Sequence, residues 1–309
     1  ASLATFVSSF IGYQQSRRAT LEGSREHLQT LANTQKDQVS KLLARYEKQA
    51  KDLSSRREIA GALRDFKSAF DKVPPDSKAK AKLEKLYSSE LAANWTSKGL
   101  AAPDLAGLIP TGAGLALQAS YMADNPNPQG RRIEAMTISG ANREYDSLHR
   151  IMHPSLGGYV KAWDLYDLFL VDNAGNVVYT AFKESDFGND LRHGALAASN
   201  LANAVAKASG LPEGSAVLSD IARYLPSYDV PALFVASPVF ADGKRLGVVA
   251  LQLNITDLDA IMTFDRGWKD VGLGATGELL LLDEQGTLLN RCRLEHEDPK
   301  AFLSVANAA

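Results

Sequence analysis

The proline-free stretch from about Gln14 to Phe70 constrains this chain more than any other feature. Within it Leu28, Leu31, Val39, Leu42, Tyr46, Ala50 and Leu53 recur at mostly helical spacing. The pattern predicts one long amphipathic helix, a break near Ser54–Ser55, and a shorter helix carrying Ile59, Leu63, Phe66 and Phe70. Pro74–Pro75 ends it, because proline lacks an amide hydrogen and clashes with the preceding turn. A helix well beyond the roughly 10–14 residues usual in globular proteins predicts pairing with a second copy along its length.

Residues 1–80 hold fifteen Lys/Arg against nine Asp/Glu, which fits either a solvated helix face or charge next to a membrane. The opening ASLATFVSSFIG is small and apolar and runs into Tyr13 and Arg17–Arg18. It reads equally as the tail of a membrane span or as a plain helix start. No stretch reaches the roughly 18 apolar residues a span needs, and no cleavable-signal pattern is present. Over all 309 residues, 45% are hydrophobic, 23% are charged, and the net charge is −2. That composition supports packed cores in two domains or one large one, excludes disorder, and provides no basic field for nucleic acid. Cys292 is the only cysteine, so neither an internal disulfide nor a cysteine-based metal framework is available.

Further along, a helix is expected over 78–95 and another over about 140–163. Between them, 101–132 is turn-rich, with Gly107, Pro110, Gly112, Gly114 and NPNPQGRR, and regular only around Ala116–Met122. At Tyr166 the period changes. YDLFLVD and VVYTAF, joined by NAGN, predict a hairpin; a helix follows over 195–208. PALFVASPVF and RLGVVALQLNI, joined by ADGK, predict a second hairpin, apolar on both faces and therefore mid-sheet. A short helix from Thr256 or Asp257 to Met262 precedes a third hairpin, GELLLLD with EQGTLL. Helices first, then an antiparallel sheet with one helix inserted, make the fold class α+β and not doubly wound.

The obvious motifs fail on context. Gly272-Leu-Gly274-Ala-Thr-Gly277 spells a dinucleotide fingerprint but precedes a strand, so no phosphate would meet a helix N-terminus. Asp186-Phe187-Gly188 lacks every companion segment of a kinase. His149 and His153, four apart on a helix, could chelate a metal with Asp146, but the structural reading, as cap partners ahead of Pro154, is preferred. No G-x-S-x-G occurs, and His27, His193 and His296 have no companion carboxylate pattern. The expectation is no catalytic residue, no metal, no cofactor and no enzyme.

Aromatic and polar residues instead cluster beside the apolar strands: Trp163, Tyr166 and Asp167; Tyr179, Phe182 and Lys183; Asp220, Arg223, Tyr224, Ser227, Tyr228 and Asp229. With Ser237 and Gln252 on the strands, they form the candidate ligand-binding set. Aromatic walls with a few charges that fix orientation are what a small-molecule pocket needs. The expected pocket lies between the strand pair 233–255 and the segment 220–229, with Trp163, Tyr166 and Lys183 on its wall. Core packing for the aromatics and loop solvation for the charges is the competing reading.

Several blocks in order, REIAGALRDFKSAF, LQASYMADNPNPQGRR, YDSLHRIMHPSLGGYVKAWDLYDLFLVDNAGNVVYTAFKESDFG, YLPSYDVPALFVASPVF and GLGATGELLLLDEQGTLL, together resemble the double Cache extracytoplasmic sensor domains of bacterial transmembrane receptors. The resemblance covers nearly the whole chain. It implies a stalk helix and following helix over 1–70, a membrane-distal PAS-like module over 71–262, and a partial membrane-proximal module over 263–309. It also implies a ligand-binding sensory ectodomain of a chemoreceptor, two-component histidine kinase or cyclase-linked receptor. Such a segment would be periplasmic or extracellular, anchored in the inner membrane of the parent protein, and homodimeric through the long helix. A structural or protein-interaction ectodomain is the alternative. Amino-acid-binding members carry an Arg-x-Trp-Tyr block and an aspartate in the last distal strand. TAFKESDFG and Gln252 stand at those places here. Because a neutral amide cannot pair with a buried ammonium, free α-amino acids are expected to be disfavoured. Lys183 or Arg223 would suit a carboxylate; Asp167, Asp220 or Asp229 would suit an amine.

Overall fold

The structure, a computed structural model, describes residues 2–97, 103–136, 138 and 143–306. The long helix is present as α1, Ser2–Ser54, and the break falls where the sequence places it, with α2 at Arg57–Asp71. Helix α2 buries Ile59, Ala62, Leu63, Phe66, Ala69 and Phe70, the three-or-four spacing that its pattern predicts. The expected 78–95 helix is divided into α3 (Ala79–Leu86), a π-turn at Tyr87–Leu91 and α4 (Ala92–Ser97). The turn-rich segment contributes α5, Gly112–Gln118, which runs into a second π-turn at Ala119–Ala123. Helix α6 is Arg143–Ala162; the few residues expected before it lie outside the described residues. Pro154 sits inside α6 without ending it.

Contacts divide the chain into two compact units, one of residues 1–44 with 256–309 and one of residues 45–255. The second holds the sheet. Its strands are β1 (Leu165–Asp172), β2 (Val177–Thr180), β3 (Val217–Leu218), β6 (Phe234–Ala241) and β7 (Lys244–Leu253), in spatial order β2-β1-β7-β6-β3 with every pairing antiparallel. A separate ribbon pairs β4 (Ala222–Tyr224) with β5 (Val230–Ala232). The two expected hairpins are β1–β2 and β6–β7, with β7 central as its doubly apolar pattern requires. The chain is α+β.

One sheet face carries Phe169, Val171, Phe234, Ala236, Val248 and Ala250 and packs with α3 and α7 (Asn200–Ser209), whose N-cap Ser199 accepts from the Ala202 amide. The other face meets α2 closely enough that a Cβ on Gly247 would press on Leu63. The final turns of α1 bury Tyr46, Ala50 and Leu53, and Ser237 of β6 donates to Ser54 Oγ at 2.7 Å.

In the other unit, α8 (Ile255–Thr263) is followed by the turns of 264–277, then α9 (Arg293–Glu297) and α10 (Pro299–Ala306). The third expected hairpin is reduced to a single bridge, Leu282 to Leu288. Leu280 and Leu282 remain 45% and 50% exposed, so its apolar run gains little from burial. The glycines of the fingerprint-like run form turns whose Gly274 and Gly277 carbonyls accept from Arg293 Nη1, and no helix starts there.

Candidate functional site

The site begins with Asp167. Register sets Asp167 of β1 opposite Gln252 of β7, which is in turn opposite Phe234 of β6, so these groups share one end of the sheet. Asp167 Oδ1 accepts from the backbone amides of Leu168, Ala181 and Phe182 at 2.6, 2.9 and 3.1 Å, tying together the open end of the β1–β2 hairpin. Asp167 Oδ2 is buried and has no partner.

Beyond β2 the chain does not return to solvent. Lys183, Glu184, Ser185, Asp186, Phe187 and Asn189 are all buried. The segment is clamped from several directions. Gln118 Nε2 donates to the Ser185 and Phe187 carbonyls, while Tyr87 holds the Gln118 oxygen at 2.9 Å. Asn189 Nδ2 donates to Leu108 O and Ser185 O. Gly114 of α5 touches Gly188 so closely that a Cβ at Gly114 would overlap the Gly188 carbonyl. Lys183 adopts a left-handed φ of 60°, uncommon for a residue with a Cβ, and its amide donates to Thr180 Oγ1.

The carboxylates so placed face the β4–β5 ribbon. Tyr224 donates to Asp186 Oδ2 at 2.9 Å, Tyr166 donates to Glu184 Oε1 at 2.9 Å, and Ser227 reaches Glu184 Oε2 at 3.3 Å. Gln252 Nε2 donates to Ser227 Oγ. Arg132 is almost fully buried and donates to Glu90 through Nη2 alone; its Nε and Nη1 have no partner. The Lys183 ammonium lies over the rings of Tyr179, Phe187 and Tyr121 at 4.1, 5.2 and 5.8 Å and donates to the Thr180 carbonyl.

Burial governs the charges. It pushes the Asp167 carboxyl up and the Lys183 ammonium down, with each partner's charge opposing the change. It lifts Glu184 to about 7 and Asp186 well above the carboxylate range, helped by the neighbouring carboxylates. The unpartnered atoms are Asp167 Oδ2, Asp186 Oδ1 and Gln252 Oε1 as acceptors and Arg132 Nε and Nη1 as donors. Leaving a buried group unsatisfied costs about 1–3 kcal/mol. Each such atom is a place where an added donor or acceptor would find a partner.

Eight residues of the sequence-derived set stand in or around this network: Tyr166, Asp167, Tyr179, Lys183, Tyr224, Ser227, Tyr228 and Gln252. Tyr228 takes a hydrogen bond from Asn94 at 3.0 Å and meets the Trp95 ring edge-on. Phe182 stacks on Tyr166 at its margin. The others lie apart. Trp163 packs on Tyr159. Asp220 is exposed, and Asp229 pairs with exposed Arg223 at 3.3 Å. Ser237 alternates onto the opposite sheet face, toward α1. Sequence reasoning missed Glu184, Asp186 and Arg132. The signal for the first two is the acidic run Lys183–Asp186, held between apolar residues and a glycine and overlapping the kinase-like triplet.

His149 and His153 stack at 4.3 Å, both buried. His153 Nε2 lies 2.7 Å from the Ile133 carbonyl, which can only accept, so this nitrogen carries the proton and Nδ1 accepts from Tyr179 OH at 2.6 Å. Both His153 nitrogens are therefore engaged within the protein. Asp146 is engaged by Tyr121 at 2.8 Å. Among the described residues no group of three or more His, Cys, Asp or Glu is arranged to hold a metal ion.

No protein-family profile matches the chain, and no curated protein matches it. Solved structures do. The ligand-binding domain of the Campylobacter jejuni chemoreceptor Tlp3, in complex with 4-methylisoleucine, is 12% identical over 80% of this chain and 76% of its own, with a TM-score of 0.34. The ligand-binding domain of the Pseudomonas fluorescens chemoreceptor CtaA, in complex with L-serine, is 14% identical over 72% and 74%, with a TM-score of 0.31. The Vibrio cholerae histidine kinase DctB sensor domain is 15% identical over 59% and 56%, with a TM-score of 0.30. The expectation that free α-amino acids are disfavoured is corrected: two of these neighbours hold an α-amino acid or its methylated analogue. The inference from Gln252 also fails on this chain's own chemistry, because Asp167, Glu184 and Asp186 place three carboxyl groups in the interior that the amide appeared to leave without one. The chain is similar to the ligand-binding sensor domains of chemoreceptors and of a sensor histidine kinase.

Proposed function

We propose that the chain is a sensory ectodomain that binds a small molecule carrying an amine, through the network of Asp167, Glu184 and Asp186, with Arg132 receiving an acceptor group at the ligand's other end. The single observation that carries this reading is the set of buried polar atoms left without partners, acceptors on Asp167, Asp186 and Gln252 and donors on Arg132. The ammonium would take up the free oxygens of Asp167 and Asp186 and restore the ionised form of carboxyls that burial otherwise keeps protonated. Lys183 stands over the aromatic rings beside these carboxyls, which burial keeps protonated until an ammonium arrives.

The parent protein is proposed to be a membrane-anchored receptor, with this segment on the periplasmic or extracellular side and paired through α1. Among the described residues no helix is long and apolar enough to cross a membrane. Support for transmission comes from the β6–α1 contact: Ser237 bonds Ser54, and Tyr46, Ala50 and Leu53 are buried in the same unit as the sheet. Ligand binding would favour one packing of sheet against α1 to the extent that it binds that packing more tightly.

A thermal-shift panel of primary amines and amino acids, each beside its N-acetyl derivative, tests the site, because a ligand bound only by the folded state raises its stability. The expected hit stabilises the protein and loses that effect on acetylation. Its affinity should drop roughly ten- to a hundredfold in Asp186→Asn. A ligand that stabilises the Asp167→Asn, Asp186→Asn double variant as well as the wild type would place binding elsewhere.

A further inference from the structure

Away from the interior network, in the same unit, a groove of about 520 Å³ opens between α7 and the chain that leaves β2. That volume lies within the range of small-molecule sites, roughly 300–1,000 Å³. Its lining combines an apolar floor, including Leu191, Ala202 and Val205, with Arg192, Asn203 and Ser209.

The wall is built, not loose. Gly188 N donates to Val177 O, Val177 N to Asn189 O, and Leu191 N to Gly175 O, so residues 188–191 pair along the outer edge of β2 like a short added strand. Asp190 Oδ1 accepts from the Arg192 and His193 amides, closing the turn that follows. The Arg192 stem then lies across Gly175, at φ 97°, where a Cβ would come within 2.7 Å of Arg192 Cγ. Only a glycine lets the stem lie there.

Two charged side chains line this groove, and they are not equivalent. Asp172 is consumed: Oδ1 accepts from the Ala174 and Asn176 amides, Oδ2 accepts from Asn176 Nδ2, and Lys67 stands 3.9 Å away. Arg192 is exposed, and its guanidinium has no ion-pair or hydrogen-bond partner among the described residues. The groove therefore presents one unused cation beside an apolar floor of small side chains. We propose that it is a second ligand site, distinct from the interior network, for a small organic anion: an apolar body lying over Ala202 and Val205 with a carboxylate paired to Arg192. A guanidinium offers two parallel donors to a carboxylate, which fixes the ligand's orientation as well as its charge.

The test uses the whole chain with para-fluorobenzoate as the probe, read by fluorine NMR, beside para-fluorobenzamide and para-fluorobenzylamine, which keep the ring and change the charge. Arg192→Gln removes the cation, and Ala206→Trp fills the groove from an exposed position on α7. The benzoate should bind more tightly than the amide and amine. It should lose roughly tenfold or more in Arg192→Gln and become undetectable in Ala206→Trp. Circular dichroism on both variants confirms folding. Absence of benzoate binding at millimolar concentration, equal binding of all three probes, or benzoate binding retained in either variant would overturn the proposal. None of these outcomes bears on the amine site, since neither substitution touches its residues.

Discussion

Strand β1 carries two buried aspartates five positions apart, and they live in opposite chemistry. Asp172 closes the β1–β2 turn with both oxygens satisfied by amides, the side chain of Asn176 and a nearby lysine. Asp167 spends one oxygen on three amides and leaves the other buried without a partner, beside Lys183, Glu184 and Asp186. One end of the strand is a structural joint brought to completion; the other is an interior left incomplete at a cost in stability. Buried polar atoms left without partners are where a bound ligand could supply them, which is how the proposed site would recover that cost.

The largest effect expected from breaking this contrast lies in the clamp that holds the incomplete end in place. Gly114→Ala drives a methyl into the Gly188 carbonyl, and a backbone neighbour cannot swing aside. Loss of about 3 kcal/mol in chemical denaturation is expected, with the Asp186 segment the first to gain hydrogen-exchange rate. Next, Asp172→Ala removes the acceptor of two amides and one side-chain amide and should cost about 2–3 kcal/mol. A loss no larger than that of an exposed substitution would show that the joint contributes nothing.

The acid side gives a smaller and signed effect. Burial first, and then the Lys183 charge, holds His153 down at about 3 against 6.5 for a free histidine. The unfolded chain takes up a proton that the folded chain refuses, so stability is lost as pH falls from about 6.5 toward 3, by at most about 1.4 kcal/mol per pH unit. Glu184 has the opposite sign. Its carboxyl, lifted from 4.5 to about 7, keeps a proton that the unfolded chain gives up, so its contribution is lost as pH rises from about 4.5 to 7. His153→Gln should flatten the acid limb and Glu184→Gln the limb above it. Identical pH profiles for wild type and both variants would remove burial as the cause.

Legibility followed the same division. The break at Ser54–Ser55, the two sheet hairpins and the central place of β7 were readable because each rests on local periodicity or a turn signal. Pro154 did not end α6, which runs on to Ala162. The third hairpin falls short of its pattern: four consecutive leucines look like a strand, yet only one bridge, Leu282 to Leu288, forms among the described residues. At the site, the aromatic cluster led to Tyr166, Lys183, Tyr224 and Gln252, which are near strand ends. Arg132 arrives from a distant turn, and Glu184 and Asp186 are buried by Gln118 and Gly114 from a turn-rich segment that reads as regular only around Ala116–Met122. No local pattern carries that convergence.

The central claim is that the network around Asp167 and Asp186 is kept for binding and not for folding, and it can be tested without knowing the ligand. Asp186→Asn keeps the shape and an acceptor for Tyr224 while removing the ionisable group; Asp172→Asn makes the same change at the completed joint. Urea denaturation at pH 7 should find Asp186→Asn within about 1 kcal/mol of wild type or more stable, and Asp172→Asn destabilised by more than about 1 kcal/mol. Equal losses in the two variants would mean that both aspartates serve the fold alike, and would contradict the assignment of the interior as a ligand site.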